Sequence, residues 1–156
     1  LACEIASQAK SNNSSFYNEL IKLYQTHGVY QEHLVSLTKK GISGAEEIAQ
    51  MMVDFRNNPP TEINNSKVVL LEDYSTGLAK DLFNEKEWEL DIPQSNVLIY
   101  YTEDGSKIAC RPSGTEPKIK FYISVKDSLN NLEDYNKVNL ELDNKINSIL
   151  NDMNIQ

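Results

Sequence analysis

Cysteine is scarce in this chain, with 2 residues among 156, Cys3 and Cys110. Two cysteines so far apart in sequence outline neither a disulfide framework nor a metal site of closely spaced ligands, which is typical of a reducing compartment. The 2 histidines, His27 and His33, have no cysteine or aspartate at metal-ligand spacing, so we interpret them as surface or structural residues. The sequence therefore predicts no metal site within this chain.

Long apolar runs and an excess of basic residues are also missing. No stretch approaches the ~18 consecutive apolar residues that a membrane-spanning helix requires, and we find no signal peptide at the start. The chain has 15 lysine and arginine residues against 23 aspartate and glutamate residues, for a formal net charge of −8. A nucleic-acid binder needs a basic face that neutralises phosphates. We therefore expect a cytoplasmic protein that binds neither membranes nor nucleic acid.

The first residues suggest a fragment of a longer protein. Residues 1–6 are typical of the interior of a helix, and no capping residue precedes them. The polar residues 11–15 can cap a second helix that ends near Gly28. One apolar face of this second helix would carry Phe16, Leu20, Leu23 and Tyr24.

From Val29 onward, hydrophobic patterns predict a strand, a helix, four strands and a final helix. The predicted strands cover residues 29–38, 67–71, 97–101, 107–110 and 118–125. Strands joined by short turns, with helices left over to cover one face, predict an α+β fold with a mostly antiparallel sheet.

Local signals mark several boundaries of these elements. Ser43 and Glu46 have the spacing of a capping box at the start of the middle helix, and the turn before it covers residues 39–42. The Asp104-Gly105 step is typical of a hairpin turn. The final helix would begin at Asn131 and bury Leu132 among other apolar residues. Residues 75–95, which include Trp88, show no clear period, and we predict a surface excursion there.

Residues 111–118 are the most informative stretch, and they read Arg111-Pro112-Ser113-Gly114-Thr115-Glu116-Pro117-Lys118. Arginine offers planar, bidentate donors to phosphate oxygens. A central glycine permits close backbone approach and unusual dihedrals, so that successive N–H groups can converge on an anion. The flanking hydroxyls add donors, and the two prolines restrict the loop.

These residue types alone leave two interpretations open, because proline, serine and glycine also dominate ordinary turns. In the anion-site interpretation, Arg111 is the main ligand, Ser113 and Thr115 contribute hydroxyls, and Gly114 contributes a backbone N–H. Lys118 is a second-rank positive charge, which could equally be a solvated strand residue. Glu116 would brace Arg111 or the loop backbone.

The contiguous string from Arg111 through Lys118 resembles the phosphate-binding loop of the α-D-phosphohexomutases, the family of phosphoglucomutases and phosphomannomutases. The resemblance implies a TATA-binding-protein-like domain, in which two helices back a four- or five-stranded sheet. Residues 28–156 would be this C-terminal domain, and residues 1–27 would be the closing helices of the preceding α/β domain.

The resemblance also implies an isomerase of carbohydrate metabolism. Such an enzyme is an intramolecular phosphotransferase that interconverts hexose 1-phosphate and hexose 6-phosphate through a phosphoserine, with Mg²⁺ and glucose 1,6-bisphosphate. This chain lacks the family's serine nucleophile loop, its aspartate-rich metal loop and its sugar-reading loop. We therefore expect no catalytic residue in the chain, and partners that are a phosphosugar and the remaining domains. The alternative is a stand-alone module that binds a phosphometabolite or a protein without catalysis.

Overall fold

The computed structural model describes residues 1–41 and 43–155. Its α-helices are α1 (Ala2–Ser11), α2 (Phe16–His27), α3 (Gly44–Asn57) and α4 (Tyr135–Asp152), and a short 3-10 helix (Leu132–Asp134) precedes α4. Its strands are β1 (Val29–Thr38), β2 (Glu62–Ile63), β3 (Ser66–Asp73), β4 (Leu78–Asp81), β5 (Lys86–Glu89), β6 (Leu98–Thr102), β7 (Lys107–Pro112) and β8 (Lys118–Asp127).

The strands form one sheet in the order β1-β8-β7-β6-β3-β4-β5, and β2 pairs with β3. The pairs β2–β3, β3–β4, β3–β6, β4–β5, β6–β7 and β7–β8 are all antiparallel. The α+β class with a mostly antiparallel sheet is therefore confirmed. The sheet has eight strands in the described part of the chain, which is more than the four or five expected.

Part of this difference lies in residues 75–95, where the predicted surface excursion is wrong. These residues contain β4 and β5, a hairpin in which Ala79 pairs with Trp88. All residues of β5 are exposed, and β5 ends the sheet. A strand without a buried face has no reason to alternate apolar and polar residues, so its sequence carries no period of two.

The chain divides into two compact units. The second unit comprises Glu32–Val125 and Lys145–Gln156 and holds most of the sheet with α3. Its core follows the alternation of β7 and β8, since Ile108, Cys110, Ile119, Phe121 and Ile123 are buried. We call the face of β7 and β8 that carries these residues the inner face. The opposite, outer face carries Lys107, Ala109, Arg111, Lys118, Lys120, Tyr122 and Ser124.

Helix α3 packs on the inner face. The ring of Phe55 meets the ring of Phe121 edge-on, with centroids 5.9 Å apart. The hydroxyl of Tyr100, a fully buried residue of β6, donates a hydrogen bond of 2.7 Å to the carbonyl oxygen of Phe55. Because the Tyr100 hydroxyl has this partner, its burial under α3 leaves no unsatisfied polar atom at that position.

Two boundary details of the helices differ from the sequence prediction. Ser43 does precede α3, but its backbone is helical and its hydroxyl donates to the Glu47 carboxylate at 3.0 Å, so the capping box with Glu46 is wrong. Leu132 lies in the 3-10 helix and is 43% exposed rather than buried. The predicted turn over residues 39–42 includes Ile42, which lies outside the described residues.

The first unit comprises Leu1–Gln31 and Lys126–Asn144. The Ser15 hydroxyl caps α2 by accepting the backbone N–H of Asn18 at 3.1 Å. Gly28 ends α2 with a φ of +90°, a conformation that favours glycine. The tyrosine rings of Tyr24 and Tyr135 stack in this unit, with centroids 5.6 Å apart.

The expected apolar face of α2 is not buried in this unit. Phe16, Leu20 and Leu23 are 50%, 39% and 55% exposed, and Ile21 is the buried residue of the helix. Helical periodicity places residues on a common side of a helix, but it does not specify which neighbour covers that side. The predicted domain boundary at residues 27 and 28 remains a prediction.

The turn between β6 and β7 is the predicted hairpin turn. Gly105 has a φ of +80°, as the Asp-Gly step requires. The Asp104 carboxylate accepts hydrogen bonds from the hydroxyls of Thr102 and Ser106, at 2.5 and 2.9 Å, and pairs with the Lys145 ammonium group at 2.6 Å. Partial burial raises the pKa of Asp104, but these hydrogen bonds outweigh it and hold the pKa at about 2.

This network predicts a pH-dependent contribution to stability. Because the pKa of Asp104 is lower in the folded chain than in the unfolded chain, at about 3.9, its contribution is complete above pH ~5. It declines as the pH falls toward the folded-state pKa of about 2. We expect Asp104→Asn to lower the free energy of unfolding at pH 6 and to differ progressively less from the parent chain below pH 4. Urea unfolding between pH 6 and pH 2.5 measures this difference. Glu103→Gln, at the neighbouring exposed carboxylate, is the control and should show no such convergence.

Candidate functional site

Residues 113–117 connect β7 to β8 as a tight hairpin loop. The strand register pairs Arg111 with Lys120 and Pro112 with Ile119. Beyond these pairs, the N–H of Ser113 donates to the carbonyl oxygen of Lys118 at 2.7 Å. Since Ile119 lies on the inner face, the side chains of Arg111 and Lys120 lie side by side on the outer face.

A shallow cavity of about 200 Å³ lies at this loop, which we call the loop cavity. Its lining residues are Arg111, Pro112, Ser113, Gly114, Glu116, Lys118 and Lys120. Three cationic side chains and one carboxylate therefore meet in a chain whose formal net charge is −8. A local excess of positive charge of this kind attracts anions even when the whole protein is acidic.

The loop is stabilised by its own serine and by a neighbouring segment. The Ser113 hydroxyl oxygen accepts the backbone N–H groups of Thr115 and Glu116, at 3.4 and 3.3 Å. The carbonyl oxygen of Pro117 accepts the N–H of Lys39, just after β1, at 2.9 Å. Because Ser113 uses only its oxygen here, its hydroxyl hydrogen remains available to a bound anion.

Gly114 does not have the conformation that the sequence suggested. Its φ is not in the left-handed region, and a Cβ added there would meet nothing within 4 Å. The amides of Thr115 and Glu116 point to the Ser113 oxygen, so they do not form a free nest for an anion. The loop backbone by itself does not require glycine, and only a ligand close to the Gly114 backbone would need the missing side chain.

The cations of the loop cavity differ in their partners. The Lys118 ammonium group lies 3.3 Å from the Glu116 carboxylate, so Glu116 pairs with Lys118 and not with Arg111. The side chain of Lys118 is 30% exposed and that of Glu116 is 62% exposed. An ion pair this exposed contributes little to stability, so Lys118 can readily leave Glu116 for a bound anion. Within the described residues, the Arg111 guanidinium forms neither a hydrogen bond nor an ion pair, and it is exposed. Its planar set of donors is therefore free for an anion.

The structure brings together four of the five residues predicted from the sequence: Arg111, Ser113, Gly114 and Lys118 line the loop cavity. Thr115, the fifth, is exposed in the same loop but does not line the cavity. Lys120 does line it and was not among the predicted ligands. Its position two residues after Lys118 on an alternating strand is the sequence signal that places both side chains on one face.

Comparison with known proteins agrees with this fold. The chain is 41% identical over 126 residues to a phosphoglucomutase of Staphylococcus aureus strain MRSA252, and 40% identical to those of strains MSSA476 and MW2. Each alignment covers 81% of this chain and 23% of the relative. The chain thus spans about a quarter of the length of these curated relatives. No family model matches the chain.

Among solved structures, the open form of pp63/parafusin from Paramecium, a phosphoglucomutase, is similar with a TM-score of 0.52 and 16% sequence identity. The similarity covers 97% of this chain and 25% of that structure, and it supports the fold. Together, the sheet, the loop and the relatives define a phosphohexomutase C-terminal domain. The relatives compared above are phosphoglucomutases, and their similarity to this chain supports that domain assignment.

Proposed function

We propose that this chain is the substrate-phosphate-binding C-terminal domain of a phosphoglucomutase-type enzyme. The enzyme would interconvert hexose 1-phosphate and hexose 6-phosphate through a phosphoserine and a bisphosphate intermediate, and this domain alone would not be catalytic. The observation that carries the proposal is the loop cavity, in which Arg111 is exposed and without a partner among the described residues. The match of 81% of this chain to 23% of each phosphoglucomutase favours a domain of a longer enzyme over a stand-alone module.

In this proposal the loop cavity binds the phosphate that is not being transferred. Arg111 donates two parallel hydrogen bonds to its oxygens, and the Ser113 and Thr115 hydroxyls and the Gly114 N–H add single donors. Lys118 adds charge once it leaves Glu116, and Lys120 adds charge from the adjacent strand. Anchoring a remote group in this way orients the reacting end of the substrate and converts remote binding energy into rate.

The remaining parts of the reaction belong, in this proposal, to the rest of a cytoplasmic enzyme. Residues 1–27 would close the preceding α/β domain, and residues 28–156 would form the phosphate-binding domain. Mg²⁺ would supply charge stabilisation during phosphoryl transfer, with glucose 1,6-bisphosphate as the intermediate. The described residues hold no group of three or more histidine, cysteine, aspartate or glutamate side chains that could bind a metal ion. Mannose phosphates are an alternative substrate.

Two further observations bear on the partners of this domain. Within the described residues, no helix has the length and apolar character needed to cross a membrane. The positive residues of the loop cavity form a small cluster rather than an extended basic face, and an extended face is what nucleic-acid binding requires. A phosphosugar and the remaining domains of the enzyme are therefore the proposed partners.

A titration of the isolated chain followed by amide-resolved NMR tests whether the loop cavity binds phosphate. With inorganic phosphate we expect saturable shifts at residues 111–120 with millimolar affinity, because charge-assisted hydrogen bonds are the main contribution. Arg111→Ala should remove the saturation. Lys86→Ala, which deletes a positive charge on β5 at the other end of the sheet order, should leave it unchanged.

The matched pair separates local recognition from the net charge of the chain. If Lys86→Ala weakens phosphate binding as much as Arg111→Ala does, the attraction is diffuse and the loop cavity is not the site. If no concentration of phosphate shifts residues 111–120, this loop is a hairpin turn without an anion site in this chain.

A further inference from the structure

Among the described residues that line the loop cavity, Glu116 is the only acidic one. The other charged residues there are Arg111, Lys118 and Lys120. An ionised carboxylate accepts hydrogen bonds and donates none, so Glu116 cannot be a ligand of an anion. Its negative charge weakens the attraction of the cavity for a phosphate. Glu116 therefore has an effect on this site that is opposite to the effect of the three cations.

The backbone of Glu116 is held in place by the loop. Its N–H donates to the Ser113 hydroxyl oxygen at 3.3 Å, and its carbonyl oxygen accepts the N–H of Lys118 at 2.7 Å. Both hydrogen bonds involve backbone groups of Glu116, so they persist when its side chain rotates. The carboxylate can therefore approach or leave the cavity while the loop keeps its shape.

The side chain of Glu116 is held only weakly. Among the described residues, its carboxylate has one polar partner, the Lys118 ammonium group at 3.3 Å. The Glu116 side chain is 62% exposed, and exchange of such an exposed ion pair for another anion costs little. Lys118 is 30% exposed and lines the cavity, so its ammonium group is available there once the pair opens.

We propose that Glu116 is an internal competing anion, which pairs with Lys118 while no phosphate is bound and is displaced when a phosphate enters the loop cavity. The inference rests on the proposed function, in which a bisphosphate presents each of its phosphates in turn and a phosphate must leave the cavity in every turnover. Because the carboxylate is tethered beside Lys118, it replaces a departing phosphate without diffusion from solution. Glu116 thus limits how tightly the ground state is held, and tighter holding of the ground state does not raise kcat.

Glu116→Gln tests the competition on the chain as it is, with inorganic phosphate as the probe and amide-resolved NMR as the readout. Glutamine keeps the length of the side chain and removes its charge. We expect the dissociation constant for phosphate to fall about two- to fivefold, as the release of an exposed ion pair provides. Glu103→Gln removes the same charge at the turn on the opposite end of β7, and it should leave the dissociation constant unchanged.

A double-mutant cycle with Lys118→Met shows whether Glu116 acts through Lys118. Methionine retains an apolar stem and offers no charge for Glu116 to pair with. If the two side chains form the exchanging pair, Glu116→Gln should tighten phosphate binding much less in the Lys118→Met background than in the parent chain. An equal gain in both backgrounds would mean that Glu116 only repels the phosphate, and the exchange would be overturned.

The role in release is measured in the full-length enzyme. Glu116→Gln should lower both KM for glucose 1-phosphate and kcat, because the anchored phosphate then leaves more slowly. A lower KM with an unchanged or higher kcat would overturn the role in release.

The outcomes separate this inference from the proposed function. An unchanged dissociation constant in Glu116→Gln overturns the competing anion, while loss of phosphate binding in Arg111→Ala still supports the loop cavity as the phosphate site. If phosphate shifts residues 111–120 in neither the parent chain nor Glu116→Gln, the phosphate site fails and the competing anion fails with it.

Discussion

Replacing Arg111 with alanine in the intact enzyme should lower kcat/KM on glucose 1-phosphate by tenfold or more. The substitution removes charge-assisted hydrogen bonds to the anchored phosphate, and hydrogen bonds to charged groups contribute about 1.5–3 kcal/mol. Arg111 has no structural partner within the described residues, so the loss should fall on ligand binding and not on folding. Steady-state kinetics with the purified full-length variant, together with its unfolding curve, measures both quantities.

Arg111→Lys is the matched variant, because it keeps the positive charge and removes the planar pair of donors. We expect it to recover only part of the lost kcat/KM if the contact is bidentate, and nearly all of it if the contact is only a charge. A full-length Arg111→Ala enzyme with unchanged kcat/KM would show that the loop cavity does not anchor the substrate. In that case the loop would be a structural hairpin, whatever the isolated chain binds.

The kinetic pattern also indicates when the phosphate contact is made. A rise in KM with constant kcat would mean that Arg111 binds the ground state and the transition state equally. A fall in kcat would mean that anchoring the remote phosphate also orients the reacting end. In the proposed reaction, the bisphosphate would present each of its phosphates in turn, so we expect the same substitution to affect the forward and reverse directions.

The loop could be predicted from the sequence because its information is contiguous. Arg111 to Lys118 are consecutive residues, and the alternation of the strand that follows fixes which side chains share a face. The position of Lys120 beside Arg111 depends on the strand register that pairs them. Strand register is a long-range property, so the sequence of the loop alone does not give it. The pairing of Glu116 with Lys118 was missed because both Arg111 and Lys118 are close to Glu116 in sequence, and only the folded loop shows which of them it pairs with.

Other parts of the fold left no readable pattern. Strand β5 is exposed along its whole length, so nothing in its environment selects alternating residues, and the hairpin of residues 78–89 could not be found from periodicity. The spacing of apolar residues in α2 correctly predicts a helix. Whether its apolar face is buried depends on which element packs against it, and the spacing does not give that information. Gly114 lies outside the left-handed region, which could not be deduced from the presence of glycine alone.

Phe121→Ala should destabilise the chain by about 3–5 kcal/mol, the usual cost of deleting a fully buried phenylalanine. Phe121 is completely buried on the inner face, pairs across the sheet with Cys110 and meets the Phe55 ring of α3 edge-on. The deletion removes that aromatic contact and leaves a cavity between the sheet and the helix. Urea unfolding at neutral pH, compared with the parent chain, measures the loss.

Tyr122→Ala is the matched control, one residue further along the same strand and on the opposite face. Because Tyr122 is 40% exposed and contributes no core packing, we expect it to cost about 1 kcal/mol or less. Equal losses at the two positions would contradict the assignment of inner and outer faces, and with it the placement of Arg111, Lys120 and Tyr122 on one face of the sheet. A large difference between the two losses in free energy of unfolding would support two roles for β8. Alternate residues would pack against α3 on the inner face and lie on the ligand side on the outer face.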